Sequence, residues 1–262
     1  SISESIAALA ERCGVIIHLN NRVDEIIVKA KKATGIRIGK ATVDADLVIS
    51  NMDVVPTYRH LLPNQKAPER ILSESRSSSA IIFYWGIKSS FPNLELHNIF
   101  FSQDYKAEFE AIFKDQTVPL DPTIYVNITS RDVDGDAPDG CENWFVMINT
   151  PCDSGQDWDN MVAQLREAVL NHLQVILKKD LSSLIEEEYV MTPPMIAERT
   201  GSYQGALYGS SSNGKMSAFL RHANFSSQIK NLFFCGGSVH PGGGIPLCLL
   251  SAKIVTDLIQ ND

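Results

Sequence analysis

The sequence is poor in cysteine. Five occur among 262 residues, at positions 13, 141, 152, 235 and 248, and no two form a C-x-x-C pair. An odd, scattered set argues against both a disulfide framework and a zinc site, and it fits a reducing compartment. Positive charge is also scarce: 23 Lys and Arg against 31 Asp and Glu give a net charge of −8. That balance excludes a general nucleic-acid binder, whose affinity comes from neutralising phosphates. No apolar run approaches the ~18 residues that read as a membrane-spanning helix. The longest runs are "AIIFYWGI" (80–87) and a C-terminal stretch that Lys253 and Asp257 interrupt. The six histidines include no close-spaced pair, and "DVDGDAPDG" (132–140) has Ala137 and Asn143 where a calcium loop needs Gly and Glu. No metal site is expected. Neither G-x-S-x-G nor a glycine loop ending in G-K-[ST] occurs, so a serine-hydrolase elbow and a Walker loop are excluded. No secretory leader is expected either. "SISESIAALAERCG" reads as an amphipathic helix with an early acid and Gly14 as its stop. Without an initial methionine, the chain is expected to be part of a longer one.

What remains is an α/β pattern. A helix is predicted over 3–13, a strand at "VIIHL" (15–19), and a hairpin from "RVDEIIVKA" (22–30) into "IRIG" (36–39). "ADLVISN" (45–51) is continuously apolar, as in a strand buried on both faces. Runs at 78–89, 97–102, 123–130 and 143–150 are rich in β-branched and aromatic residues and predict a second, antiparallel sheet. A short helix is expected at about 103–114 and a long one at about 157–177. The long one has an apolar stripe of Trp158, Met161, Val162, Leu165, Val169, Leu173 and Ile176. A strand at 185–193 ends at a Pro-Pro break, and an irregular Gly/Ser-rich loop spans 201–214. A buried strand near 231–237 then leads through "GGSVHPGGG" to a helix at about 245–259.

That last stretch is the main chemical signal. Strand, glycine turn and helix present backbone N–H groups to an anionic or polar ligand. Gly242, Gly243 and Gly244 permit positive φ and leave no side chain in the way, and Pro246 costs little in a first helical turn. "LFFCGGSVHPGGGIPLCLLSAKIVTDLI" (232–259) resembles the C-terminal flavin-binding signature of bacterial-type carotenoid desaturases, within the amine-oxidase-like FAD flavoproteins. "RVDEIIVKAKKATGIRI" is similar to that family's hairpin near the adenosine half of FAD, "DADLVISNMD" to its strand leaving the FAD domain, and "DAPDGCENWFVMI" to a turn and strand of its substrate domain. The form "GGSVHPGGGIP" resembles hydroxycarotenoid 3,4-desaturases more than phytoene desaturases.

The resemblance implies an FAD domain (1–55 and 226–262) interrupted by a substrate domain (56–225) with an antiparallel sheet and helices. It implies cofactor contacts at Val23, Cys235, Gly236, Gly237, Ser238, His240, Gly243, Gly244, Ile245 and Pro246, with no catalytic side chain identified. It further implies a polyene carotenoid substrate, hydride transfer to FAD, and a protein of the cytoplasm that associates peripherally with the membrane and self-associates. Phe83, Trp85, Phe100, Tyr125 and Phe145 are expected to form one wall of an apolar channel. The family's G-x-G-x-x-G unit is not in this sequence, so the chain by itself is expected to hold FAD poorly or not at all. An isomerase or saturase on the same fold, and a non-catalytic lipid-binding relative, remain alternatives.

Overall fold

The computed structural model describes residues 1–211 and 221–261. It opens with helix α1 (Ile2–Arg12), closed by a capping box between Ser1 and Glu4 and burying none of its residues. The segment "VIIHL" that follows is not a strand; its apolar side chains are exposed. β-propensity alone did not make a strand there, because no neighbouring strand pairs with it among the described residues. Strands β1 (Glu25–Lys29), β2 (Lys32–Ile38) and β3 (Ala41–Asp44) form an antiparallel meander, the third of them absent from the sequence reading. Strand β4 (Val48–Ser50) is much shorter than its apolar run, and Ile49 is 48% exposed. The run was expected to be buried on both faces. It pairs in parallel with a single strand, β10 (Leu232–Phe234), and packs on one side only.

A single turn, α2 (Val54–Pro56), continues into a wider turn at Thr57–Leu61, and α3 (Glu69–Leu72) follows. Tyr58, Leu62 and Leu72 join Ile26, Val48 and Phe234 in the core beneath the glycine turn.

The second sheet is five-stranded and antiparallel, in the order β6-β7-β8-β5-β9. Its strands are β5 (Ser79–Ile87), β6 (His97–Phe100), β7 (Ile124–Asn127), β8 (Glu142–Thr150) and β9 (Ile185–Met191). Helix α4 (Tyr105–Glu110) joins β6 to β7 and runs on into a wide turn at Ala111–Asp115. Helix α5 (Trp158–Leu177) covers one face of the sheet. Its Leu165, Val169 and Leu173 meet Phe83, Trp85, Trp144 and Val146 in a sealed core, where each fully buried aliphatic side chain contributes about 1.5–3 kcal/mol. The stripe ends on Leu177 rather than Ile176, which is 46% exposed.

Alternation along the strands leaves the opposite face to other residues. β8 buries Trp144, Val146 and Ile148 and turns the half-buried Phe145, Met147 and Asn149 outward. Register then pairs Tyr84 with Phe145, Ile82 with Met147, and Ala80 with Asn149. The expected aromatic wall is therefore split. Phe83 and Trp85 lie in the core and Phe100 packs against it, whereas Tyr125 and Phe145 stand on the open face, their rings 6.2 Å apart. Register sets Tyr84 opposite Phe145, so alternation along β5 sends Phe83 and Trp85 to the other face.

The prolines at 193 and 194 were read as a break. They start helix α6 (Pro193–Thr200), since Pro fits the first helical turn. Helix α7 (Ile245–Gln260) closes the chain. Part of the expected 201–214 loop, residues 212–214, lies outside the described residues.

Candidate functional site

The glycine turn between β10 and α7 is held by side chains that no local motif announces. Ser251 on α7 is fully buried, and its Oγ accepts from the Gly236 N–H at 3.1 Å and from Asn224 Nδ2 at 2.9 Å. Asn224, also buried, donates further to the carbonyls of His240 (2.8 Å) and Phe234 (3.2 Å). Arg221 donates to the carbonyls of Tyr208 (2.9 Å), Gly237 (3.2 Å) and Ser210 (2.9 Å). Burial lowers its pKa from the ordinary arginine value. Ser238 Oγ accepts from the Val54 N–H at 3.0 Å, tying the turn to α2. Asn51, at the end of β4, donates to the Cys235 carbonyl at 3.1 Å. Burial raises the pKa of the Cys235 thiol, which disfavours the thiolate. Arg221, Asn224 and Ser251 were missed because each acts across 10 to 27 residues of separation. Only the fold brings them together.

The glycines serve different ends. Gly236, Gly242 and Gly244 have φ of +108°, +135° and +101°, whereas Gly237 and Gly243 do not need the left-handed region. Gly243 is required for space: a Cβ there would stand 2.8–3.0 Å from three atoms of Tyr208. At Gly244 a Cβ would meet nothing within 4 Å, and Ile245 just beyond it is 65% exposed. The turn therefore closes on the protein at Gly243 and opens outward at Gly244. Helix α7 begins there with no side-chain cap. The backbone N–H groups of Ile245 and Leu247 have no acceptor among the described residues, and the positive end of the helix dipole stands with them. Pro246, in the same first turn, removes no needed donor.

Two large cavities bear on the site, and the turn itself lines the second. One of about 500 Å³ contains Val23, with Ile26, Ile36, Val48 and Asn51 in its wall. Asn51 also lines a smaller space of about 240 Å³ with Gly237 and Ser238. The other large cavity, about 440 Å³, takes Gly242, Gly243 and Leu247 from the turn, Phe109 and Phe113 from the α4 segment, and Asn149 from the open sheet face. The His240 side chain is exposed and lines neither cavity; its backbone is engaged, the N–H with the carbonyl of His222 and the carbonyl with Asn224. Among the described residues no group of three or more His, Cys, Asp or Glu is placed to hold a metal ion, and no helix is long and apolar enough to cross a membrane.

A parallel strand pair, a glycine turn and an uncapped helix end form a ligand-binding edge of the α/β kind, set beside a separate antiparallel sheet. The fold agrees with an oxidoreductase from Methanosarcina mazei, at a TM-score of 0.62 over 97% of this chain and 53% of that one, with 14% identity. Residues 1–260 match the flavin-containing amine oxidoreductases, and the chain belongs to that family. It is 57% identical to the 1-hydroxycarotenoid 3,4-desaturase of Flavobacterium sp. (strain P99-3), over 99% of this chain and 53% of the relative. It is 32% identical to the phytoene desaturase of Fusarium fujikuroi, over 100% and 50%, and 34% identical to a 4,4'-diaponeurosporene oxygenase of Staphylococcus aureus, over 99% and 53%. The chain spans about half the length of these curated relatives.

Proposed function

We propose that the protein is an FAD-dependent carotenoid desaturase that forms a C=C bond in a linear polyene, at the 3,4 position beside a 1-hydroxylated end. The observation that carries the reading is the 440 Å³ cavity, in which the glycine turn meets Asn149 at the end of the outer face of the substrate-side sheet. The 57% identity to a 1-hydroxycarotenoid 3,4-desaturase supports the substrate.

The residues present fit a flavin. The Val23 cavity would take the adenosine half, and Asn51 continues from it toward Gly236 and Gly237. Gly244 leaves room where a side chain would intrude, and the unpaired N–H groups of Ile245 and Leu247 suit a ring edge that gains negative charge. When bound, FAD supplies the two-electron oxidation, taking hydride from one carbon while the neighbouring carbon releases a proton. The chain's own part is to position the polyene and exclude water. Ile82, Tyr84, Phe145 and Met147 offer an apolar track along the sheet face, and Leu247, Phe109 and Phe113 close the cavity at its end. Among the described residues that line it there is no carboxylate and no histidine. The proton leaves a carbon next to a cation spread over the polyene, which does not require a strong base.

The same proposal divides the chain into an FAD part (1–55 and 226–262) and a substrate part (56–225). It also holds that these 262 residues alone bind little FAD. A cytoplasmic location is in keeping with the scattered, unpaired cysteines. Peripheral binding to the membrane surface is in keeping with a lipid-soluble substrate, and self-association with the exposed apolar side chains; liposome co-sedimentation and light scattering test these two. For the activity, the complete gene product should purify with flavin absorbance. Incubated with a 1-hydroxylated carotene, it should give a product two hydrogens lighter that absorbs at longer wavelength. A colourless protein, or one that leaves the carotene unchanged, would refute the reading.

A further inference from the structure

The outer face of the five-stranded sheet changes character along its length. Moving down the β5–β8 pair, its outward rows are Tyr84 with Phe145, Ile82 with Met147, and Ala80 with Asn149. The last row brings an amide onto an otherwise apolar track, and Asn149 lines the same cavity as Gly242 and Gly243. The Asn149 carboxamide is poorly engaged. Its Oδ1 is 3.5 Å from Ser78 Oγ, at the limit of a hydrogen bond, and its Nδ2 has no acceptor among the described residues. A half-buried amide whose donor no described protein group takes up, in a cavity that also carries Ser77, Ser78 and Ser210, is available to a polar group of a ligand.

We propose that Asn149 is the specificity-determining residue that receives the hydroxyl of the hydroxylated polyene end. The inference rests on the desaturase reading above. In a chain hydroxylated at C1 and oxidised at C3–C4, the oxygen lies three bonds from the nearer reacting carbon. The group that holds this oxygen must therefore line the cavity at the glycine turn, not the far end of the track. The Asn149 amide can donate to the hydroxyl oxygen through Nδ2 and accept its proton through Oδ1. Ser78 stands beside it as a second polar partner. Engaging the hydroxyl fixes how far the polyene advances, and so which bond meets the cofactor. A chain without the hydroxyl would forgo this pairing at the polar end of the cavity, so the site favours its hydroxylated counterpart.

The test compares kcat/KM of the complete gene product for a 1-hydroxylated carotene and for the same polyene lacking the hydroxyl. The parent should prefer the hydroxylated substrate by about 10- to 100-fold. Two β-branched variants suited to a strand then separate shape from hydrogen bonding. Asn149→Val should lower the preference to below about 3-fold, mainly through KM, while Asn149→Thr, which keeps a hydroxyl, should retain most of it. Flavin absorbance per polypeptide should match the parent in both. Equal turnover of the two polyenes by the parent would overturn the assignment, as would an unchanged preference in Asn149→Val. Failure of the parent to desaturate any hydroxylated carotene would refute the desaturase reading itself, a result distinguishable from either.

Discussion

Replacing Ser251 by Ala probes the scaffold of the glycine turn most sharply, because the change is small and its surroundings are fully described. The hydroxyl accepts from the Gly236 N–H at 3.1 Å and from Asn224 Nδ2 at 2.9 Å in a site with no solvent exposure. Asn224 keeps the carbonyls of His240 and Phe234 when that oxygen is removed, so it loses little. The Gly236 N–H has no other acceptor among the described residues and becomes a buried, unpaired donor. Such a group costs about 1–3 kcal/mol. At about 2–4 °C per kcal/mol for a chain of this size, Tm should fall by about 2–12 °C. Thermal unfolding of the parent, Ser251→Ala, Asn224→Ala and the double variant gives a complete cycle. The two residues share one network, so the double variant should lose less than the sum of the singles, by at least about 0.5 kcal/mol. A Ser251→Ala protein melting within about 1 °C of the parent, or strictly additive losses, would refute the claim that this hydroxyl holds the turn.

Gly243→Val should lower both flavin content and stability, because its side chain must enter space that Tyr208 fills; absorbance and Tm on the same sample check this. Burial keeps the pKa of His222 below the ordinary imidazole value, so between the two values the unfolded chain takes a proton that the folded one refuses. Stability should therefore decline as pH falls below about 6.5, by up to about 1.4 kcal/mol per pH unit. Urea midpoints above and below that pH should converge in His222→Asn. Arg131 pairs at 2.7 Å with the buried Glu142, which keeps the Phe91 N–H and the Ser90 hydroxyl as donors, so Arg131→Ala should destabilise the substrate-side sheet by about 1.5–3 kcal/mol. Glu142 also accepts from the Trp144 indole at 2.8 Å, so Trp144 fluorescence should report the loss.

How much of this was legible in the sequence depends on the range of the interactions. The α5 stripe and the alternating strands were readable because each is a local period imposed by a neighbouring layer. The glycine turn was readable because its backbone demands are met by residue type alone. Reading failed where a partner lies far along the chain. "VIIHL" has strand composition but nothing pairs with it, and Phe83 and Trp85 were assigned to the open wall when the register with β8 sends them to the core. Asn224 and Ser251 carry no motif, and their role exists only once β10 and α7 bring them within 3 Å of each other.

The central claim is that the glycine turn and the apolar sheet face act together in desaturating a hydroxylated polyene. Mass and absorption spectra of the carotenoid recovered after incubation with the complete gene product test it most directly. The account predicts that a 1-hydroxylated carotene loses two hydrogens and absorbs at longer wavelength, while phytoene is returned unchanged. Recovery of the hydroxylated carotene at its original mass with an altered cis/trans pattern, or conversion of phytoene instead, would contradict it.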